Sequence, residues 1–502
     1  MEDGAISTVF KNITLILVSR KWEIMWRRGH KFRCTLHVAS QNNYLQMLNI
    51  ASTLSVLDNP NINWKAVVTS LLLGKYAFET YIDARQYEVL HRKKPPASIE
   101  KEILYDTFVK AQTYSKAKTR FSFFSSALDT LKDVAAIGFN LLPKLWNIAG
   151  SISGVLAHYK YIGRFFGASV MSQSVVFFVI ISIITVLESL PTSYYQTFVL
   201  EEKFGFNKTT IKTWITDMMK SLFLTITLGT PFLYAFLKIV EKFGVSFVAY
   251  ACALVLAAQL VLMTIAPSLI LPLFYNFSPL EDGDLKTEIE ALARRNKFPL
   301  SQLSVIDGST RSAHSNAFFV GLPWSKKIVL YDTLIEHNTV PETVSVLAHE
   351  IGHWKLNHLA QLLVATQASL ATTFIIFSAF LENKSLFHSF GFQTVYPAFI
   401  AFTLFSYVSS PLNCFTQFGL NMLSRRNEYQ ADNFAAKQGY APDLARSLIK
   451  LTTKNLGTID SDWLYSSYNH SHPILADRLS HLGYISTEKV GDVKISVGEK
   501  ED

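Results

Sequence analysis

The chain has 502 residues, of which 49% are hydrophobic and only 17% are charged. Because globular proteins average about 25% charged residues, this composition excludes a disordered or collagen-like chain and indicates that lipid covers part of the surface. Lys and Arg number 47 against 39 Asp and Glu, a net charge of +8. Together with long apolar runs, this excess favours basic loops beside a membrane over a nucleic-acid-binding surface.

Five apolar stretches are long enough to cross a membrane, which takes about 20 mostly apolar residues in a helix. Four of them carry no charge and lie at 171–187, 221–237, 243–280 and 359–381. The fifth, at 397–423, is the later part of an uncharged run that ends just before two arginines. The sequence therefore predicts a transmembrane helix in each stretch.

Two weaker candidates precede these five. Residues 66–82 are apolar but include Lys75 and Glu79, which lie one helical turn apart on one face. Since charges inside a membrane face a cavity or a partner helix, this helix should turn that face inward. Apolar sequence at 121–160 is interrupted by a few charges and predicts one further span. The total is about seven.

Basic residues set the predicted orientation. Residues 83–120 hold nine Lys and Arg against five Asp and Glu, and the positive-inside rule places such a loop in the cytosol. Alternation of spans then puts 189–220, 281–357 and the chain after residue 425 on the same side. The polar insertion at 281–357 contains a helical pattern and three strand-like pieces, which predict a small mixed sheet.

The most informative residues follow this sheet, where His349, Glu350 and His353 form the pattern H-E-x-x-H on a predicted helix. Side chains four residues apart share one helical face, so both imidazoles can bind one metal ion. Glu350 lies beside the first ligand and can act as general base on a metal-bound water. The pentapeptide also arises by chance in long chains, so a metal site needs a third ligand.

A carboxylate pair, Glu428 and Asp432, offers that ligand. The spacing places both side chains on one face of a helix, where one can complete the metal site and the other can orient a ligand histidine. Two predicted spans separate His353 from Glu428, and an even number of crossings returns the chain to the same side. Read alone, the pair fits an ordinary solvated helix face, but the shared side of the membrane favours a metal site.

A third polar cluster, at residues 469–473, contains His470 and His472 and lies on the predicted cytosolic side. A histidine there can donate a hydrogen bond to the oxyanion of a tetrahedral intermediate. The same residues also fit a polar turn before a helix that starts at Pro473, and the residues alone leave both interpretations open. His358, one turn after the H-E-x-x-H motif, is expected at the membrane interface.

The combination of these motifs resembles the CAAX prenyl protease 1 family, which comprises zinc metalloproteases of the endoplasmic reticulum and inner nuclear membrane. Similar segments extend from about Leu57 to Tyr484 and include 195–207 and 266–276. Residues 1–56 have no counterpart in the family pattern. The C-terminal end also lacks a dilysine retrieval signal, so residence in the endoplasmic reticulum follows from the resemblance alone.

The resemblance implies a mainly α-helical, polytopic membrane protein in which about seven transmembrane helices form an α-barrel around an intramembrane chamber. A gluzincin-like metalloprotease domain with a small β-sheet accompanies the barrel. The resemblance implies that His349, His353 and Glu428 bind one Zn²⁺ and that Glu350 is the catalytic base. Asp432 would orient a ligand histidine, and His472 would stabilise the oxyanion. Asn316 would contact the substrate backbone. The implied segments are an extension at 1–56, a transmembrane region at 57–280, a metalloprotease insertion at 281–358, two spans at 359–424 and a catalytic segment and tail at 425–502.

The implied activity is removal of the last three residues from farnesylated or geranylgeranylated CAAX proteins, with a second upstream cut of a prenylated precursor in some members. The implied partners are prenylated substrates and the lipid bilayer, with no nucleic acid, and the chain is expected to act as a monomer. Two alternatives stay open. One is a membrane quality-control zinc protease with the same metal site, and the other is a non-enzymatic membrane scaffold or transporter.

Overall fold

The structure of the protein is a computed structural model that describes residues 55–96, 99–159, 169–322 and 325–484. Expectations for the N-terminal extension up to residue 54 and for the tail after residue 484 lie outside these residues. The described chain is mainly helical and contains one small β-sheet.

The first helices belong to the predicted transmembrane region. They are α1 (Trp64–Val89), α2 (Tyr105–Gly138), α3 (Leu141–Ala157), α4 (Val170–Tyr195), α5 (Ile211–Phe243) and α6 (Phe247–Ile265). The insertion follows with β1 (Phe277–Pro279), α7 (Asp284–Asn296), β2 (Leu300–Ile306), β3 (Ala317–Leu322), β4 (Ser325–Tyr331), α8 (Asp332–His337) and α9 (Val340–Lys355). The remaining helices are α10 (His358–Ser378), α11 (Lys384–Ser389), α12 (Ala398–Val408), α13 (Ser410–Lys437), α14 (Ala441–Lys454), α15 (Trp463–Asn469) and α16 (Leu475–His481).

Three helical stretches of the described chain have the length and hydropathy of membrane spans, namely Val170–Glu201, Ile211–Leu273 and His358–Ser378. The second stretch has 63 residues, about 95 Å of helix at 1.5 Å per residue, three times the thickness of a bilayer core. It is a hairpin of α5 and α6, because the Lys220 ammonium near its start donates to the Leu273 carbonyl near its end over 2.7 Å.

A fourth span is bent. Helices α12 and α13 pass the same test together but meet at 68°. Pro411 lies in the first turn of α13, where its missing N–H and fixed φ favour a new helix over continuation of the old one. The one long span predicted at 397–423 is therefore divided between two helices, and α13 continues beyond it as far as Lys437.

The two weaker predicted spans differ from expectation. Residues 66–82 lie within α1, but the single span expected at 121–160 is divided between α2 and α3. The break falls at Asn140, whose φ of 53° is in the left-handed region, a conformation that ends a helix and that Asn tolerates better than most residues. Neither α1 nor α2 nor α3 meets the length and hydropathy test, so the total of about seven spans is not confirmed.

The insertion forms a four-stranded sheet in the order β1-β2-β4-β3. β2 and β4 are parallel, whereas β1 pairs with β2 and β3 pairs with β4 in antiparallel fashion. The predicted mixed sheet is confirmed, and β3 occupies one of its edges. Leu330 of β4 is fully buried in a core that also contains Leu292 of α7, Leu347 of α9, Ala445 of α14 and Leu479 of α16.

A second, aromatic core joins the membrane helices. The ring of Phe377 in α10 lies 5.8 Å from that of Phe247 in α6 and 5.3 Å from that of Phe402 in α12. Phe236 of α5 contacts the same group through Phe374 at 5.7 Å. These edge-on and tilted pairs are favourable for aromatic quadrupoles, and they hold α10 in place directly after the H-E-x-x-H helix.

Candidate active site

Helix α9 carries the H-E-x-x-H motif and has a well-defined start. Thr339 and Glu342 form a capping box, in which the Glu342 carboxylate accepts from the Thr339 N–H over 2.8 Å. The same carboxylate accepts from the Lys450 ammonium of α14 over 2.7 Å. Burial raises the pKa of Glu342, but the hydrogen bonds from Lys450 and Thr339 outweigh burial and hold that pKa below its usual value.

The close approach of α9 and α13 depends on Gly352. A methyl group at this position would lie 3.1 Å from Cδ1 of Phe434 and 3.2 Å from Cα of Ala431, closer than ordinary carbon contacts. Because glycine has no Cβ, the backbone of α9 rests directly on α13 at the turn that separates His349 from His353. The glycine inside the motif thus sets the distance between the histidines and the carboxylates of α13.

Three side chains converge between these helices. His349 Nε2 lies 3.1 Å from His353 Nε2, and Glu428 places Oε2 3.5 Å from the first nitrogen and Oε1 3.2 Å from the second. One ligand atom from each residue falls within 4.8 Å of the others, as a shared metal ion requires. Residues separated by two predicted spans in the sequence are thus brought to one point.

Both imidazoles are held with Nε2 toward the cluster. On one side, His349 Nδ1 lies 2.8 Å from Oδ1 of Asp432, so in the neutral ring Nδ1 carries the proton and Nε2 keeps its lone pair. On the other side, His353 Nδ1 lies 2.9 Å from His358 Nδ1, and His358 Nε2 lies 3.0 Å from the Gln430 amide oxygen. A single assignment of protons satisfies this chain, with His353 donating to His358 and His358 donating to Gln430.

The residues present therefore fit a metal ion. Two ring nitrogens and one carboxylate lie within reach of one another, and a divalent cation that takes the place of the proton can bind all three. Burial lowers the pKa of His349, but the contacts with Asp432 and Glu428 outweigh it and raise that pKa to about 9. A site that draws a proton this strongly is a site of negative potential, which favours a cation equally.

Arg478 of α16 completes the support of Asp432. Its guanidinium donates to both carboxylate oxygens, over 2.9 Å from Nε and 2.6 Å from Nη2, and Nη1 lies 3.6 Å from Glu428. Sequence reasoning assigned Arg478 no role, since its only signal is its place six residues after His472. The paired arginine fixes the Asp432 carboxylate in the orientation that His349 requires.

His358 was expected at the membrane interface but is only 1% exposed and contacts His353. The expectation was wrong because α10 starts at His358 while packed against α13, so its first side chain enters the protein interior. Little in the sequence indicated the contact between His358 and His353, because two residues five positions apart do not lie on the same face of a helix.

Glu350 and His472 both lie near the cluster. Glu350 is half-buried on α9, and burial raises the pKa of its carboxylate, although the neighbouring histidines oppose this shift. His472 Nδ1 lies 2.9 Å from Oε2 of Glu428 while 66% of the His472 side chain stays exposed. Since Nδ1 faces Glu428, Nε2 points away from it and can meet an incoming molecule.

Asn316 directly precedes the edge strand β3, and among the described residues its hydrogen bonds go to the sheet and not to His349, His353 or Glu428. Its side-chain oxygen accepts from the Ala317 N–H over 2.8 Å, and its backbone carbonyl accepts from Tyr331 of β4 over 3.1 Å. β3 itself packs against α9. Asn316 therefore lies next to the strand beside the cluster rather than in it.

Comparisons with known proteins agree with this geometry. A family model described as CAAX prenyl protease N-terminal, five membrane helices, matches residues 86–276, and one described as Peptidase family M48 matches residues 279–486. CAAX prenyl protease 1 of Saccharomyces cerevisiae is 44% identical over 87% of this chain and 98% of its own length. The chain belongs to the CAAX prenyl protease 1 family.

Other similar proteins cover the chain equally well. The CAAX prenyl protease 1 homolog of Homo sapiens is 36% identical over 81% of this chain and 92% of its own length. The crystal structure of S. mikatae Ste24p matches with a TM-score of 0.79 and 44% identity, over 84% of this chain and 100% of that one. Membership in the CAAX prenyl protease 1 family confirms a multi-pass membrane metalloprotease, whereas the total of about seven spans stays a prediction.

Proposed function

We propose that this chain is a zinc metalloendopeptidase that removes the last three residues from farnesylated or geranylgeranylated CAAX proteins. The observation that carries the proposal is the convergence of His349, His353 and Glu428 within 4.8 Å, with Glu350 on the same helix. Two histidines and one glutamate are a ligand set that catalytic zinc sites use. The names of the similar proteins support the prenylated CAAX substrate.

His349, His353 and Glu428 would hold the zinc ion, with Asp432 orienting His349. When bound, zinc supplies a Lewis acid that lowers the pKa of a water molecule toward about 7 and polarises a carbonyl. Glu350 takes the proton of the attacking water and later passes it to the leaving amine, a general acid–base role. His472 would donate from Nδ1 to Glu428 and, with a proton on both ring nitrogens, from Nε2 to the oxyanion that forms on the scissile carbonyl.

The substrate backbone is proposed to lie along β3. This strand is at the edge of the sheet, and an edge can add an extended peptide through main-chain hydrogen bonds. Asn316 would contact that peptide at the start of the strand. Because β3 packs on α9, a peptide added there runs past the zinc ligands.

The position of the cluster suits a lipidated substrate. Helix α10 begins only five residues after His353, and the apolar stretch predicted as a span at 397–423 ends five residues before Glu428. The site therefore lies where membrane helices meet the polar domain, so a prenyl chain can stay among apolar helices while its peptide reaches the zinc. All ligands come from one chain, which supports a monomer, and the family resemblance supports the endoplasmic reticulum as its location.

A matched pair of peptides tests the proposal. The full-length protein is incubated with a farnesylated CAAX peptide and with its unprenylated twin, and the released tripeptide is detected by mass spectrometry. We expect tripeptide from the prenylated peptide alone and none after zinc chelation. Equal cleavage of both peptides would instead favour a quality-control protease, and zinc without cleavage of either would favour a scaffold or transporter.

A further inference from the structure

His472 lies in the loop between the short helices α15 and α16, with most of its side chain exposed. Helices of seven residues are too short to be stable alone, so contacts with the rest of the protein must fix this loop. On the C-terminal side, Arg478 of α16 is bound to Asp432. On the N-terminal side, α15 is held by two helices: Asn421 and Arg425 of α13 donate to the Tyr468 carbonyl and the Ser466 hydroxyl, and α1 contacts both ends of α15.

Gln86 of α1 makes three hydrogen bonds to the segment that leads into α15. Its amide nitrogen donates to the Asp460 carbonyl over 3.1 Å, and its amide oxygen accepts from the Asp462 N–H over 2.8 Å and from the Ser461 hydroxyl over 3.1 Å. Gln86 is only 2% exposed. A buried amide whose partners were removed would remain unsatisfied at a cost, so these bonds define the position of the segment.

Arg85 and Asp462 add a second contact at the same point. The guanidinium donates to both oxygens of the Asp462 carboxylate, over 3.0 Å and 2.8 Å. That carboxylate also caps α15, since it accepts from the N–H groups of Leu464 and Tyr465 over 3.0 Å and 3.1 Å. One side chain thus joins the end of α1 to the beginning of the helix that leads to His472.

Glu79 holds the other end of α15. Its carboxylate accepts from the Tyr468 hydroxyl over 3.0 Å, and the Tyr468 ring packs edge-on against Phe78 at 5.5 Å. Glu79 precedes Gln86 by seven residues, two helical turns, so both side chains lie on one face of α1. The hydrogen bond from Tyr468 explains why the apolar helix α1 contains the charged Glu79. From the sequence, the face that carries Glu79 was expected to turn inward.

We propose that Gln86, supported by Arg85 and Glu79, is a positioning residue for the protease, which holds α15 so that His472 faces Glu428 and the scissile carbonyl. The inference rests on the proposed role of His472 at the oxyanion. It connects α1, which contains the span predicted at 66–82, to the catalytic loop, since the face of α1 that contacts α15 helps to fix where His472 can lie. Gln86 touches neither substrate nor zinc and acts only through His472.

A double-mutant cycle tests this inference on the full-length protein. Gln86→Ala, His472→Ala and the double variant are compared for kcat, KM and zinc content with a farnesylated CAAX peptide. We expect Gln86→Ala alone to lower kcat about tenfold, because small misplacements of catalytic groups cost up to about 10²-fold, with KM within about twofold and zinc unchanged. In the His472→Ala background the same change should cost less than about twofold.

Glu88→Ala is the matched control, since Glu88 lies two residues away on an exposed part of α1, and it should leave every parameter unchanged. If Gln86→Ala does not fold, as judged by lost zinc, the cycle is repeated with Tyr468→Phe, which removes only the hydroxyl bound by Glu79. Equal losses of kcat with and without His472, or no loss at all, would overturn the inference. If His472→Ala itself leaves kcat unchanged, the proposed function loses its oxyanion donor instead.

Discussion

Replacement of Asp432 by Asn is the most informative test of how the ligands are held. Asp432 is fully buried and accepts from His349 at 2.8 Å and from Arg478 at 2.6 and 2.9 Å. Asn keeps the shape of the side chain but carries no charge, so it cannot fix the tautomer of His349 and pair with Arg478 equally well. The Arg478 guanidinium would then lose its paired carboxylate and keep Glu428, 3.6 Å away, as an anionic partner, in competition with the metal ion.

Both effects weaken the binding of a metal cation. Loss of a carboxylate behind a ligand histidine typically costs 10–100-fold in metal affinity, which corresponds to about 1.4–2.8 kcal/mol at 25 °C. The assay is an equilibrium competition for zinc between the full-length protein and a chelator of known affinity. Asp282→Asn is the control, because Asp282 is 93% exposed and distant from the cluster in sequence. Zinc affinity of Asp432→Asn within twofold of the wild type would refute the reasoning.

Three further changes test other parts of the site and its support. His353→Ala should lower zinc content to below about one-tenth per chain, since catalytic zinc sites use three protein ligands, whereas exposed His388→Ala should retain zinc. Gly352→Val should cost about 1–3 kcal/mol in stability and weaken zinc binding. Gly419→Val is the control, because a side chain there meets open space. Equal changes in melting temperature for the two variants would argue against a close contact of α9 with α13 at Gly352. The pKa of Glu342 is lowered in the folded protein, so its carboxylate stabilises the wild type above pH 4.5, and this stability is lost as the pH falls further. Glu342→Gln should lack this contribution. Identical melting temperatures of the variant and the wild type between pH 6 and 4 would contradict this.

The convergence of the three proposed ligands could be predicted from the sequence, because their signals are local or topological. The spacing of His349 and His353 needs only a helix, and the number of spans between His353 and Glu428 needs only hydropathy. The structure brings these residues together as both arguments require. Three strands of the mixed sheet were also predictable, since they are short apolar runs that follow one another closely, whereas β1 was not, because it lies at the end of the uncharged run 243–280.

The support of the ligands could not be predicted, because it depends on contacts between distant parts of the chain. Arg478 reaches Asp432 from 46 residues away, and His358 reaches Gln430 from 72 residues away. Neither residue belongs to a pattern that hydropathy or spacing reveals. The close approach at Gly352 is likewise a property of two packed helices, not of the motif that contains it.

Helix ends in the membrane region were harder to predict than the presence of apolar segments. The break at Asn140 depends on one left-handed residue, and the bend at Pro411 divides a run that hydropathy presents as continuous. Lys75 and Glu79 form an ion pair at 3.5 Å within α1, and Glu79 also accepts from Tyr468. The charge of Glu79 in α1 is therefore explained by its hydrogen bond with Tyr468, a residue that only the fold brings close to it.

The central claim is that a zinc ion held by His349, His353 and Glu428 acts with Glu350 to hydrolyse a prenylated peptide. The most direct measurement determines zinc content and tripeptide release on the same preparations of wild-type protein and Glu350→Gln. The account predicts one zinc per chain in both, with release by Glu350→Gln reduced at least about 100-fold, since general acid–base catalysis contributes 10²–10⁴-fold. Release by Glu350→Gln at a rate near that of the wild type, with zinc present, would contradict the account.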